Sequence, residues 1–185
     1  MTRYFITIIT LLIALTSIPS RAQEMTKAEL DGIRAAYSAA KERIERNNHA
    51  QEQNMPRSDM EIVSHYVVPG CGPTDEVIHY YFTLGEDPVL GTPYYNIYFI
   101  SRSYNVAARK FYQEYLFDED ESRLLFFFQS NDAQDSGSDE TRYYYGKSGI
   151  HKSIKGSAEL DEVFAARLAD ELKSAFAFLM NKDYQ

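Results

Sequence analysis

The chain is 185 residues long, carries a formal net charge of −8, and has 14% aromatic residues, no tryptophan and one cysteine, Cys71. That acidic balance argues against a nucleic-acid partner, because phosphate binding needs clustered Lys and Arg. A lone cysteine closes no intramolecular disulfide, so the fold has to be held by packing.

The chain opens with MTRYFITIITLLIALTSIPSRAQ: Arg3, an uncharged apolar run from Tyr4 to Ile18, a Pro19-Ser20 break and a small-residue site ending at Ala22. Residues 1–22 read as a signal peptide, and residues 23–185 as a single α+β domain. The run is shorter than the ~20 residues a spanning helix needs. No second apolar stretch follows, so no integral membrane segment is expected after signal cleavage. An uncleaved N-terminal anchor is the alternative. No cysteine follows the run, which leaves lipidation unsupported. The expected location is periplasmic or secreted, and loss of Arg3 and Arg21 leaves 17 basic residues against 27 acidic ones.

Thr26-x-x-Glu29 has the spacing of a capping box, so a helix should begin at Lys27. Leu30, Ile33, Tyr37, Ala40 and Ile44 recur every three or four residues as its apolar stripe, which suits packing on the protein's own sheet better than a coiled coil. The polar stretch NNHAQEQNMPRSD contains Pro56, and the helix is expected to fray into a linker there. From Glu61 the hydrophobic period changes to two. Strands are predicted near 61–69, 76–84, 93–104, 108–117, 122–130, 140–145 and 150–154. Twelve of 15 tyrosines and seven of 11 phenylalanines lie between Met60 and Ile154, which marks this region as β-rich. Most joints are short, so sequential antiparallel pairing is the simplest topology.

A four-residue turn at Asp118 to Glu121 would pair Phe117 with Ser122, Tyr115 with Leu124, Gln113 with Phe126 and Phe111 with Phe128. Cross-strand partners share a face. Alternation extends this core face to Ile78, Tyr80, Phe82, Leu84, Tyr95, Ile97 and Phe99, and the turn at Gly146 to Gly149 pairs Tyr145 with Ile150 and Tyr143 with Lys152. A closing helix is predicted over 159–181, capped by Ser157. The fold class is therefore α+β: an antiparallel meander of about seven strands, with N-terminal and C-terminal helices packed on one face.

The opposite face would carry His79, Tyr81, Tyr94, Tyr98, Tyr112, Glu114, Leu125, Phe127, Tyr144 and His151. A wholly solvated face should be more polar, so the sheet curls or this face binds something. Tyrosine combines a large apolar ring with a polar tip, which suits recognition of a protein, peptide or glycan. The expected function is non-catalytic binding through this Tyr-rich face, with Tyr81, Tyr94, Tyr98, Tyr112, Phe127, Tyr144, His79 and His151 as binding residues. The alternative is a small periplasmic hydrolase using His79, His151 or Glu114 in a cavity of the curved sheet. A homodimer that buries the same face is a third reading.

Other motifs point to no cofactor, metal or catalytic residue. In the stretch DEDES, Asp118, Asp120 and Ser122 alternate as calcium ligands would, but Arg123 stands where the turn needs Gly and Gln129 where a bidentate Glu is required. Asp132, Asp135, Gly137 and Asp139 form an oxygen-rich loop that reads as solvated. The four histidines lack His-x-x-x-His spacing, and there is no Gly-x-Ser-x-Gly elbow or Gly-rich phosphate loop. Cys71, in PGCGP, has no His, Lys or Arg within five residues to activate it. It is an idle thiol or a link between chains. The segments YQEYLFDEDESRLLFFF and ETRYYYGKSGI resemble hairpins of uncharacterised exported proteins of Gram-negative bacteria. That resemblance implies export and carries no activity or site residue with it.

Overall fold

The computed structural model describes residues 25–52, 58–86, 88–132, 139–156 and 160–182. The leader, Ser157 and most of the acidic tract after Asp132 lie outside the described residues. Helix α1 (Lys27–Glu52) precedes strands β1 (Asp59–Val68), β2 (Gly72–Glu86), β3 (Pro93–Val106), β4 (Arg109–Phe117), β5 (Leu124–Asn131), β6 (Asp139–Tyr145) and β7 (Ile150–Lys155), and helix α2 (Glu162–Lys182) follows them. The seven strands form one antiparallel sheet in sequence order, as the short joints require.

The capping box forms as expected. Glu29 N donates to Thr26 Oγ1 at 3.2 Å, and Thr26 N donates to Glu29 Oε2 at 3.1 Å. Helix α1 then continues to Glu52, through the Asn47-Asn48 pair where fraying was expected. Asn47 contributes there: its amide donates to Asp59 Oδ1 at 3.2 Å, and Ser58 N donates to Asn47 Oδ1 at 3.4 Å, tying the helix to the start of β1. Helix α2 is capped by Asp161, whose Oδ1 accepts from Phe164 N at 2.7 Å.

The two helices cover opposite faces of the sheet, which corrects their expected placement on one face. Ala165, Ala169, Leu172 and Phe176 of α2 pack with Ile78, Tyr80, Phe82, Ile97, Ile100, Tyr115, Phe117, Phe127 and Tyr143. Ile33, Ala40 and Ile44 of α1 pack with Tyr81, Tyr98, Phe99, Leu116, Phe126 and Tyr144. Adjacent strand residues such as Tyr80 and Tyr81, or Tyr143 and Tyr144, point to opposite sides of a pleated sheet, so these are two separate cores. Two aromatic faces need two helices.

Two irregularities explain the faces that were misassigned. In β3 the register slips so that Tyr81 faces Phe99 and Phe82 faces Ile97, which leaves Tyr98 as an extra residue and moves Phe99 to the α1 side. The β4–β5 joint spans six residues, not four. Asp118 N bonds Arg123 O at 2.8 Å, Asp118 Oδ1 accepts from the backbone of Asp120 and Glu121, and Ser122 adopts a left-handed φ of 52°. Tyr115 consequently pairs with Phe127, Leu116 with Phe126, and Leu125 is extra. Phe126 and Phe128 belong to the α1 side, whereas Phe127, expected on the second face, is buried under α2. The β6–β7 pairs Tyr145 with Ile150 and Tyr143 with Lys152 are observed as predicted.

On the α2 side, the helix start is held by two tyrosine hydroxyls, Tyr143 to Leu160 O at 2.6 Å and Tyr145 to Glu162 O at 2.7 Å. Farther along the same face, Gln113 and Gln129 are buried as a bonded pair at 2.7 Å, and Tyr115 donates its hydroxyl to Gln113 Oε1 at 2.8 Å. Buried polar groups tolerate this position because they satisfy one another. Phe127 lies between Tyr115 and Tyr143, at ring-centroid distances of 5.2 and 6.0 Å. Phe127→Ala should therefore destabilise the protein by about 3–5 kcal/mol, and half-buried Phe128→Ala by clearly less, read as shifts in the urea-unfolding midpoint.

Candidate functional site

The face that the sequence singled out as Tyr-rich is largely roofed by α1. Tyr37, in the middle of the helix stripe, sets its ring edge-on to Phe126 at 5.1 Å and tilted to Phe99 at 6.1 Å. Beneath it lies Glu114 of β4, 3% exposed. Glu114 Oε2 accepts from the Tyr37 hydroxyl at 2.6 Å, and Oε1 accepts from the Tyr112 hydroxyl at 2.8 Å and Lys41 Nζ at 2.9 Å. Two of those three donors come from the helix. An apolar stripe alone lets a helix slide or rotate, whereas a buried carboxylate with directional donors fixes its position.

The helix is tied at both ends as well. Glu29 accepts from Lys147 N at 3.0 Å and Ser148 N at 3.1 Å, and also from the Ser148 hydroxyl, so the residue that closes the capping box also binds the β6–β7 turn. The Ser148 hydroxyl foremost, followed by the Thr26 backbone N–H, holds the Glu29 carboxyl down to about 2. Arg43 bonds Glu119 at 3.1 Å and lies 4.3 Å over the Tyr98 ring.

The predicted binding residues therefore separate. Tyr81, Tyr98 and Tyr144 are buried against α1, with Tyr98 only 3% exposed, and Phe127 lies in the other core. Tyr112 is exposed and donates to Glu114. Tyr94, also exposed, packs over Gly85 and lines a separate groove of about 470 Å³ with Tyr95, Phe176 and Met180 at the end of α2. His79 stacks on Tyr81 at 6.3 Å and pairs with Glu61 at 3.3 Å, and His151 leans on Tyr144 at 5.7 Å. His79 is on β2 and His151 on β7, with four strands between them in the sheet. The structure does not bring the two histidines and Glu114 into one acid–base set. Among the described residues no group of His, Cys, Asp or Glu is arranged to hold a metal. Of the acidic-tract positions, Asp135 and Gly137 lie outside those residues.

What the roofed face leaves open is a cleft of about 290 Å³ along one flank of α1, lined by Arg34, Tyr37, Ser38, Phe126, Phe128, Arg142 and Tyr144. Arg34 reaches it from the helix, 5.7 Å over the Tyr144 ring, and Arg142 from β6, 4.9 Å over Phe128. Each guanidinium has an acidic neighbour outside the lining, Asp31 at 3.6 Å from Arg34 and Glu140 at 2.7 Å from Arg142. Both retain further donors, since a guanidinium offers five N–H groups. The other flank of α1 carries a larger groove of about 530 Å³, but there Arg43 and Arg46 share the lining with Asp118, Glu119 and Asp120. The smaller cleft alone of the two pairs aromatic walls with a lining whose charges are all positive.

Of the cleft residues the sequence pattern had singled out only Tyr144 as a binding residue. Arg34, Tyr37, Ser38 and Lys41 follow the helical i, i+3, i+4, i+7 spacing, a basic and aromatic edge beside the apolar stripe that could have drawn attention to this flank. Comparison of the chain with protein-family models, curated proteins and solved structures finds no match.

Two measurements test the anchoring. Removing the hub by Glu114→Ala should cost about 2–3 kcal/mol, the worth of hydrogen bonds to a charged group, read from urea unfolding. In alkali, burial holds the Tyr37 hydroxyl above its ordinary range, assisted by Glu114, and burial pushes Tyr98 up to about 12. The folded state thus favours neutral tyrosine. Stability should be fully retained below pH ~10, where unfolded tyrosine titrates, and fall as pH rises through the higher folded values. In acid the sign reverses for Glu29: its contribution should be lost as pH falls from 4.5 toward 2.

Proposed function

We propose that this is an exported, non-catalytic binding protein of the periplasm or extracellular space, and that its Tyr-rich face binds through the cleft along α1. The observation that carries this reading is the pairing of Arg34 and Arg142 over a floor of aromatic rings. Rings accept the flat face of a ligand, and guanidinium groups take an oxyanion at its edge in a fork geometry. The ligand class is a small planar group bearing a carboxylate, sulfonate or phosphate, either free or presented by a peptide or glycan. A cleft of this volume holds one or two rings. The apolar leader supports export. For the hydrolase alternative the described residues supply no convergent acid and base, because all three donors around Glu114 are structural ties and each histidine has its own neighbours.

The test is calorimetric titration with naphthalene-2-sulfonate beside its neutral counterpart, naphthalene-2-methanol. The sulfonate should bind saturably and more weakly as salt rises, and the alcohol poorly. Arg34→Ala and Arg142→Ala should each weaken the sulfonate by about tenfold, equivalent to ~1.4 kcal/mol. Equal binding of both probes, or unchanged affinity in the double variant, would contradict the assignment.

A further inference from the structure

The sheet ends in two different edges. Among the described residues no strand pairs with the outer side of β1 or of β7. Strand β7 is six residues long and carries Lys152 and Lys155, the kind of charge that discourages edge-to-edge association. Strand β1 is ten residues long, DMEIVSHYVV, and has neither Lys nor Pro. It also exposes apolar side chains on both faces: Val63 is 52% exposed, Tyr66 41% and Val67 71%. A ten-residue edge strand whose outward-pointing backbone groups meet no strand among the described residues, flanked by exposed Val and Tyr, forms a template for another strand.

The charge pattern of β1 selects the occupant. Its two acids, Asp59 and Glu61, sit at one end, and Tyr66, Val67 and Val68 at the other. A parallel pairing of two β1 strands would set acid beside acid, which is destabilising. An antiparallel pairing sets the acidic end of each against the apolar end of the other. We propose that β1 pairs antiparallel with β1 of a second copy about a two-fold axis near Ser64, joining two sheets into one. Residues that face each other across such an axis must share a side of the sheet. Ile62 then meets Tyr66 of the second copy, Val63 meets His65, and Glu61 meets Val67. The contact is isologous and closes as a dimer. The homodimer expected from sequence through burial of the Tyr-rich face would first have to displace α1, whereas this one leaves both helices in place.

Head-to-tail pairing of β1 with β7 of another copy is the competing geometry. It would bring Asp59 and Glu61 toward Lys152 and Lys155, but β1 and β7 run in the same direction, so a joint that keeps each helix on its own side of the sheet is parallel and repeats head to tail into chains or rings. Salt separates the two. Screening relieves repulsion between two acidic copies and tightens the two-fold dimer, whereas it weakens an ion-paired head-to-tail contact.

Sedimentation equilibrium of the purified protein across the micromolar range tests the proposal. The expected result is a monomer–dimer equilibrium that tightens with salt. Val63→Lys and Val67→Lys, both at exposed positions, should each weaken dimerisation by at least about tenfold with an unchanged circular dichroism spectrum. Ile154→Lys on β7 should leave the dimer intact, and amides on the outer side of β1 should exchange more slowly in the dimer than in either β1 variant. A monomer at every concentration, a dimer indifferent to both β1 substitutions, or a series of larger species that salt dissolves would each overturn it.

Discussion

A carboxylate shut between a helix and a sheet has to find donors there, and the side chains that supply them fix how the two layers meet. Glu114 holds that position here. It receives hydroxyls from Tyr37 and Tyr112 and the ammonium of Lys41, so one residue of the central strand sets both the position and the rotation of α1. The rest of the α1 face follows from that placement. Tyr37 comes to lie over Phe99 and Phe126, Glu29 reaches the β6–β7 turn, and Arg43 covers Tyr98. The cleft exists because the helix is held at these points and its flank is left raised beside Phe128 and Tyr144.

The opposite face is organised differently. There α2 presents Ala165 and Ala169, small residues that let the helix approach, and then Leu172 and Phe176, whose ring meets Tyr80 and Phe82 at 5.2 and 5.3 Å. One helix is thus positioned mainly by directional polar contacts and the other mainly by apolar interdigitation. The division matches the residues that each strand offers. The side toward α1 includes Glu114, Tyr112 and Arg142, and the side toward α2 has a dense block of rings in which Gln113, Gln129 and Tyr115 are bonded to one another. No disulfide contributes, since Cys71 is free and exposed in the β1–β2 turn.

The order and type of the elements were legible because each left a local periodic signal: the Thr26 and Glu29 box, the helix stripes, and aromatic alternation broken by Gly, Pro and Asp joints. The assignment of residues to faces was less secure, since in a period-two pattern one extra residue exchanges the two sides. Tyr98 and Leu125 are those extra residues, and Ser122, in a left-handed conformation, lengthens a turn that looked like four residues. None of them differs in composition from its neighbours. The side chosen by α1 was hidden for a related reason. An apolar stripe says that a helix is covered but not by what, and the partner of Tyr37 and Lys41 lies more than 70 positions away.

The functional reading changes character with that placement. Of the rings that alternation presented as an open surface, Tyr81, Tyr98 and Tyr144 are interior to the α1 layer and Phe127 to the α2 layer, and the proposed binding surface shrinks to the rim where Arg34 and Arg142 stand over the rings. The position of α1 is the premise for the cleft and for the burial of Tyr81, Tyr98 and Tyr144. Its most direct test is a nuclear Overhauser spectrum of the folded protein with labelled aromatic rings. Tyr37 should show cross-peaks to Phe126 and Phe99, whereas cross-peaks from Tyr37 to Tyr80 or Phe176, on the side held by α2, would contradict the account.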